Sequence, residues 1–283
     1  MKFSSLIAVT LAASSVIASQ LAAVPIWTAT GFDMPESAVS DPVRNRVYLS
    51  EIVGHPAAAD GQGGIVALAM DGTVVDRNWV TGLDAPKGMA LIDDGLLVAD
   101  LTRLHLIDPD TGTVLRTINV PGAQFLNDVT GADDTAYVSD LMGGGIWRYH
   151  AGEVGLWLDE PRIPHPNGVY LDGARLLVGD WGQGLHDDFS TDVPGSLWAV
   201  DLADQSLTPV AKALGNIDGV TRDGETVFVT DWVTGDLFSV AGSGAVTRVD
   251  HYPAGLADIS ATGETLYLPE MLEGRLSAVR LTD

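Results

Sequence analysis

Six residues far apart in the chain, Glu36, Lys87, Asn127, Asn167, Asp218 and Ala257, occupy one place in six copies of a short motif. The copies read PESAV, PKGMA, LNDVT, PNGVY, IDGVT and LADIS. Four of the six carry a side-chain oxygen, two as carboxylates and two as amides, and none carries sulfur or imidazole. Such a donor set is hard and selects Ca²⁺ or Mg²⁺ class ions. Ca²⁺ is favoured, because it accepts irregular geometry and carbonyl oxygens where Mg²⁺ demands near-octahedral order. Two negative charges balance one divalent cation; without it, Glu36 and Asp218 repel each other in any desolvated setting. Lys87 is the complication. Its ammonium could neutralise the carboxylates in place of a metal, or bind substrate at the rim. Taken singly, Asn127-Asp128 and Asn167-Gly168 read as turn formers. Their shared register with Glu36 and Asp218 is what turn chemistry does not predict.

The elements that bring these positions together are legible as a repeat. Thirteen residues beyond the motif residue stands an acid: Lys87 to Asp100, Asn127 to Asp140, Asn167 to Asp180, Asp218 to Asp231 and Ala257 to Glu270, with Glu36 to Glu51 two residues longer. Each acid ends a strand-like run, RVYLSEI, GLLVADL, TAYVSDL, RLLVGDW, TVFVTDW and TLYLPEM, and a second such run follows each. Period-two apolar patterns between Gly, Asp and Pro turns make the chain nearly all β. Units of roughly 40 to 50 residues with about four short strands have the length of a β-propeller blade. The expected fold is a six-bladed β-propeller over residues 24–283. A β-sandwich is the alternative, but it supplies no reason for six copies of one spacing. The last unit lacks a final strand while PIWTAT (25–30) has no blade of its own, so pairing the two would close the ring.

In a ring of blades, equivalent positions converge on the central channel, whereas residues that every blade repeats serve the blade itself. The strand-end acids belong to the second class and are expected to accept hydrogen bonds from turn amides. The varied channel positions belong to the first.

Residues 1–23, MKFSSLIAVTLAASSVIASQLAA, read as a secretory signal peptide with possible cleavage after Ala18 or Ala23, so the protein is expected in the periplasm or the medium. Cysteine is absent, and no disulfide helps the fold. Acidic residues outnumber basic ones 38 to 15, a net charge of −23 that repels phosphate backbones and anionic lipid. Nucleic-acid and membrane-surface binding are therefore not expected, and a monomer acting on a small molecule is.

These residues resemble the six-bladed calcium-dependent hydrolases of the gluconolactonase and senescence-marker-protein family, related to diisopropyl-fluorophosphatase. Glu36 of PESAV matches the family's first-blade glutamate, Asn127-Asp128 its N-D motif, Pro166-Asn167-Gly168 its P-N-G motif and Asp218-Gly219 its D-G motif. The resemblance implies that Glu36, Asn127, Asn167 and Asp218 bind a catalytic metal directly or through water, with Asp218 as base or nucleophile. Sugar-lactonase members carry an arginine two residues before the N-D asparagine; Phe125 stands there in this chain. They also carry an acidic substrate-binding residue in the segment after N-D, for which LMGGG (141–145) offers no match. An apolar lactone, aryl ester or phosphotriester suits Phe125 better than a sugar acid lactone.

His165, two residues before Asn167, is a candidate proton shuttle or substrate contact. Two longer segments, 54–64 and 181–196, leave the strand ends that carry the repeated acids and are expected to overhang the mouth of the channel. No G-x-S-x-G elbow, H-E-x-x-H pair or phosphate loop occurs. The competing expectation is an exported propeller that binds a protein or small ligand without turnover, with Lys87 neutralising the channel carboxylates.

Overall fold

A computed structural model describes residues 21–186 and 188–282. The chain forms six antiparallel sheets in a ring, a six-bladed β-propeller. Blade one is built from Pro35–Asp41, Arg46–Glu51, Gly63–Ala69 and Val74–Leu83. The inner strands of the next four blades are Pro86–Ile92, Leu126–Ala132, Pro166–Asp172 and Ile217–Asp223. Blade six starts with the short strand Ser260–Thr262, runs through Thr265–Glu270 and Arg275–Thr282, and takes its outer strand, Ala22–Thr30, from the other end of the chain. Ala22 lies opposite Thr282 and Thr30 opposite Arg275, so the ring closes as the unpaired PIWTAT segment requires. The expected export segment, 1–23, lies outside the described residues apart from Leu21, Ala22 and Ala23. Among the described residues no helix is long and apolar enough to cross a membrane.

Apolar side chains at alternate strand positions fill the spaces between blades. Val98, Leu96 and Ile107 of blade two pack with Tyr48, Ile65 and Ala67 of blade one, for example. Each inter-blade cluster is a sheet-on-sheet core of the kind that period-two patterning produces.

The strand-end acids do what a blade needs. Asp100 accepts from the Asp84 and Ala85 amides at 3.0 and 2.7 Å, and Asp140 from Gln124, Phe125 and Gly143 at 3.0, 2.7 and 2.9 Å. Glu51, Asp180 and Asp231 likewise accept from backbone amides. Glu270 is the exception, bound instead by Arg275 and by the Ser277 hydroxyl.

One irregularity recurs at the PESAV-type motif. In blade one Pro35 lies opposite Glu51 and Ala38 opposite Leu49, so two residues, Glu36 and Ser37, face the single residue Ser50. The same one-residue slip sits at Lys87-Gly88, Asn127-Asp128, Asn167-Gly168 and Asp218-Gly219. These are β-bulges, which interrupt the alternation of side chains and re-aim them. The extra amide of the bulge needs an acceptor, and Ser50, Ser139 and Thr230 supply it to Ser37, Asp128 and Gly219 at 3.0, 2.9 and 2.7 Å. The second bulge residue lies against the neighbouring inner strand. A Cβ on Gly168 would stand 2.4 Å from the Asp218 carbonyl oxygen, and one on Gly219 2.3 Å from the Ile259 nitrogen. Asn167-Gly168 is thus a bulge at the channel rather than a turn.

Candidate metal centre

The bulges deliver Glu36, Lys87, Asn127, Asn167 and Asp218 to one place. All five are at least 95% buried, although they span 183 positions (218 minus 36, plus one). Asn127 donates its amide hydrogen to Asn167 Oδ1, and Asn167 Nδ2 donates to Asp218 Oδ1 at 2.6 Å. This chain of amides leaves Asn127 Oδ1 and Glu36 Oε2 buried with no hydrogen-bond partner. Buried polar atoms are ordinarily paired, so orphaned oxygens in one channel mark a candidate site for a cation or its water. Asn167 is placed differently from Asn127: its oxygen is already engaged, and a half turn of the amide would be needed to present it to an ion.

Asp128 adds a carboxylate that the motif register alone does not single out. One oxygen each from Glu36, Asp128 and Asp218 lies within 4.8 Å of the others. Both Asp128 oxygens are buried with no N–H or hydroxyl donor, and the Asp128 carboxyl lies against that of Asp258, close enough for the two to share a proton. Asp128 is the second bulge residue of its blade, where blades two, four and five have glycine and blades one and six have Ser37 and Asp258. Ser37 donates to Asp258 Oδ2 at 2.6 Å, and Asp258 borders a second cavity of about 210 Å³ at the far mouth of the channel. Two adjacent registers, not one, therefore line the channel.

The electrostatics agree with a cation site. Burial, and then the neighbouring Asp218 and Asp258 charges, raise the Glu36 carboxyl well above the usual range. Burial followed by Asp258 pushes Asp218 up to about 8, and burial pushes Asp258 up to about 7. Asp128 is raised well above its ordinary value by burial and by the same three neighbours. A cluster of carboxyls this desolvated must take up protons or be neutralised by a cation.

Lys87 does not supply that neutralisation by contact. Its ammonium donates to the carbonyl oxygens of Pro56 and Ala85 at 3.0 and 2.9 Å and lies 4.4 Å from the centre of the Phe125 ring. Among the described residues it makes no ion pair. Burial lowers its pKa to about 8, against the opposing fields of Glu36, Asp100 and Asp218.

Above the carboxylates is a cavity of about 130 Å³ with walls that are chiefly apolar, including Met34, Ile52, Phe125, Leu141, Trp181 and Trp232. Pro56 and Phe189 reach it from the two long segments expected to overhang the mouth. Within the second segment, Gly182–Leu185 pairs with the start of Thr191–Asp201 as a small hairpin. The Trp181 indole donates to the Phe189 carbonyl at 2.8 Å and holds that hairpin over the cavity. His165 is not among the cavity's lining residues. Its Nδ1 donates to the Leu141 carbonyl at 2.9 Å, which orients the ring alongside the site.

By sequence, the chain matches no protein-family model and no curated protein. Solved structures resemble it by fold. One is a structural-genomics target provisionally assigned as a gluconolactonase, with 17% identity, TM-score 0.67, and 93% of this chain and 92% of that one covered. A second is a catalytically inactive virginiamycin B lyase from Staphylococcus aureus with quinupristin, with 14% identity, TM-score 0.62, and 93% and 99% covered. A third is a chain of a nidogen/laminin complex, with 14% identity, TM-score 0.60, and 79% and 94% covered. The shared property is the six-bladed propeller. At these identities the likeness extends to fold alone, and propellers host enzymes and binding modules alike.

Proposed function

We propose that this protein is an exported hydrolase of apolar lactones, aryl esters or phosphotriesters that works with a divalent cation, Ca²⁺ by preference, in its central channel. The observation that carries this reading is the buried, unpartnered oxygens of Glu36 and Asn127 together with the convergence of the Glu36, Asp128 and Asp218 carboxylates. An all-oxygen set with three carboxylates fits a hard cation, and no described side chain neutralises it by contact. When bound, the cation would polarise the substrate carbonyl or phosphoryl oxygen and acidify water. Glu36, Asp128, Asp218 and Asn127 are the residues that would hold it.

Asp218 is the base in this scheme. Its Oδ1 is pinned by Asn167, which leaves Oδ2 to take the proton of an attacking water. The apolar walls formed by Phe125, Trp181 and Trp232 exclude solvent and so strengthen every charge interaction on the cavity floor. They also suit an apolar or aromatic substrate better than a sugar acid. Export as a monomer is part of the proposal. Processing after Ala18 leaves the ring-closing strand whole, whereas processing after Ala23 would remove its pairs at Ala22 and Ala23; the intact mass of the mature chain reports which occurs.

The test is turnover of a panel of lactones, aryl esters and phosphotriesters before and after chelation. Chelator-sensitive turnover supports the reading. Turnover of nothing in the panel by calcium-loaded protein would leave a binding propeller as the better account. Hydrolysis puts a water oxygen into the acid product and elimination does not, so heavy-oxygen water separates a hydrolase from a lyase.

A further inference from the structure

A buried lysine ordinarily has a carboxylate partner. Lys87 is 98% buried and has none; two of its three N–H groups go to the Pro56 and Ala85 carbonyls. Its third N–H has no acceptor among the described residues. The Phe125 ring covers one side of the ammonium at 4.4 Å, which fixes it without consuming a donor. Blade two stands between the blades of Glu36 and Asn127, so this donor sits between two of the cation-holding side chains on the floor of the apolar cavity. The residues around it there, Ile52, Pro56 and Phe125, offer no side-chain donor.

From this placement we infer that Lys87 is a catalytic residue whose third N–H donates to the acyl or phosphoryl oxygen of the substrate as negative charge builds there. The inference rests on the hydrolase reading. In ester hydrolysis the water oxygen bonds to the carbonyl carbon while the C=O π pair moves onto the oxygen facing Lys87. Collapse restores C=O and breaks the bond to the leaving alkoxide. Of the two protons of the water, one passes to Asp218 and on to the departing alkoxide, and the other leaves with the ionising acid product. Lys87 keeps its own protons throughout and acts as a fixed donor, the type of group that contributes most where charge develops in a dry site.

The test uses Lys87→Met, close in length and uncharged, with Lys87→Gln as the variant that keeps a donor for the backbone carbonyls. Turnover of phenyl acetate, affinity for phenylphosphonate and affinity for calcium are measured on each. Loss of one such donor lowers kcat by about 10² to 10³ with KM changed little. Phenylphosphonate binding weakens tenfold or more, while calcium binds tighter because a positive charge has left the channel. The two trends oppose each other, and simple damage to the site would weaken both ligands together. Unchanged kcat, unchanged phenylphosphonate affinity or weakened calcium binding in a folded variant overturns the proposal. If the wild type hydrolyses no ester, the hydrolase reading falls, and phenylphosphonate and calcium binding still decide where the Lys87 donor points.

Discussion

Asn167 donates to Asp218 Oδ1 at 2.6 Å across two neighbouring blades, fifty-one positions apart in the chain. Both residues are first residues of a bulge, and both are buried. The contact ties the proposed base to a side-chain network that runs from Asn127 of blade three through Asn167 to blade five. Asp218→Asn keeps an oxygen that can accept from Asn167, so the fold should survive with its melting temperature nearly unchanged. Turnover of aryl esters should fall by about 10³ or more, since the base is gone. Retained activity in a folded Asp218→Asn variant removes Asp218 from that role.

Stability should depend on pH in opposite senses with and without cation. In metal-free protein the Asp218 and Asp258 carboxyls stand at about 8 and 7, and Glu36 is raised too, all chiefly by burial. Raised folded-state values mean that the native state holds protons the unfolded state has already released. Their stabilising contribution is complete below about pH 4 and is lost as pH climbs through 7 to 8. Calcium requires the ionised carboxylates, so its contribution grows over that same window. Thermal melts of chelated protein should fall from pH 5 to pH 8.5, and the rise on adding calcium should be larger at pH 8 than at pH 5.5. A calcium shift of equal size at both values would contradict the burial of these groups.

The bulge glycines are structural requirements of the channel. A Cβ at Gly219 would meet the Ile259 nitrogen at 2.3 Å and Asp258 Cα at 2.9 Å, both backbone atoms that cannot step aside. Gly219→Ala should cost about 2 to 3 kcal/mol or more in denaturant unfolding. Gly242→Ala, where nothing lies within 4 Å of the added atom, should change stability by less than about 0.5 kcal/mol. Equal effects at the two sites would dismiss the close approach of inner strands.

A strand-end acid should behave unlike a channel acid. Asp140 holds three backbone amides, and Asp140→Ala leaves them without that acceptor in a buried turn. The expected loss is about 3 kcal/mol of stability. Calcium affinity should stay within about threefold, because the side chain does not face the channel. A large loss of calcium binding with little loss of stability would reverse the assignment.

Much of the fold and part of the candidate site are legible in the sequence. Six copies of one spacing imply a ring, and the variation among Glu36, Lys87, Asn127, Asn167 and Asp218 against the constancy of the strand-end acids separated site from scaffold. The sequence does not single out Asp128 and Asp258 as site residues, because period-two alternation assigns the residue after a channel position to the other side of the strand. The bulge overturns that rule, and its only trace in the sequence is the run of glycines at Gly88, Gly168 and Gly219. The partners of Lys87 were not legible either. Whether an ammonium meets a carboxylate or a backbone carbonyl depends on a segment, Pro56 within 54–64, whose path no local pattern dictates.

The central claim is that the channel oxygens hold a cation, and calorimetric titration of calcium into chelator-treated protein tests it most directly. The account predicts one high-affinity site per chain, weakened at least tenfold by Glu36→Gln and by Asp128→Asn in variants that remain folded. Absence of a specific site in the wild type, or affinity that ignores both substitutions, would contradict it.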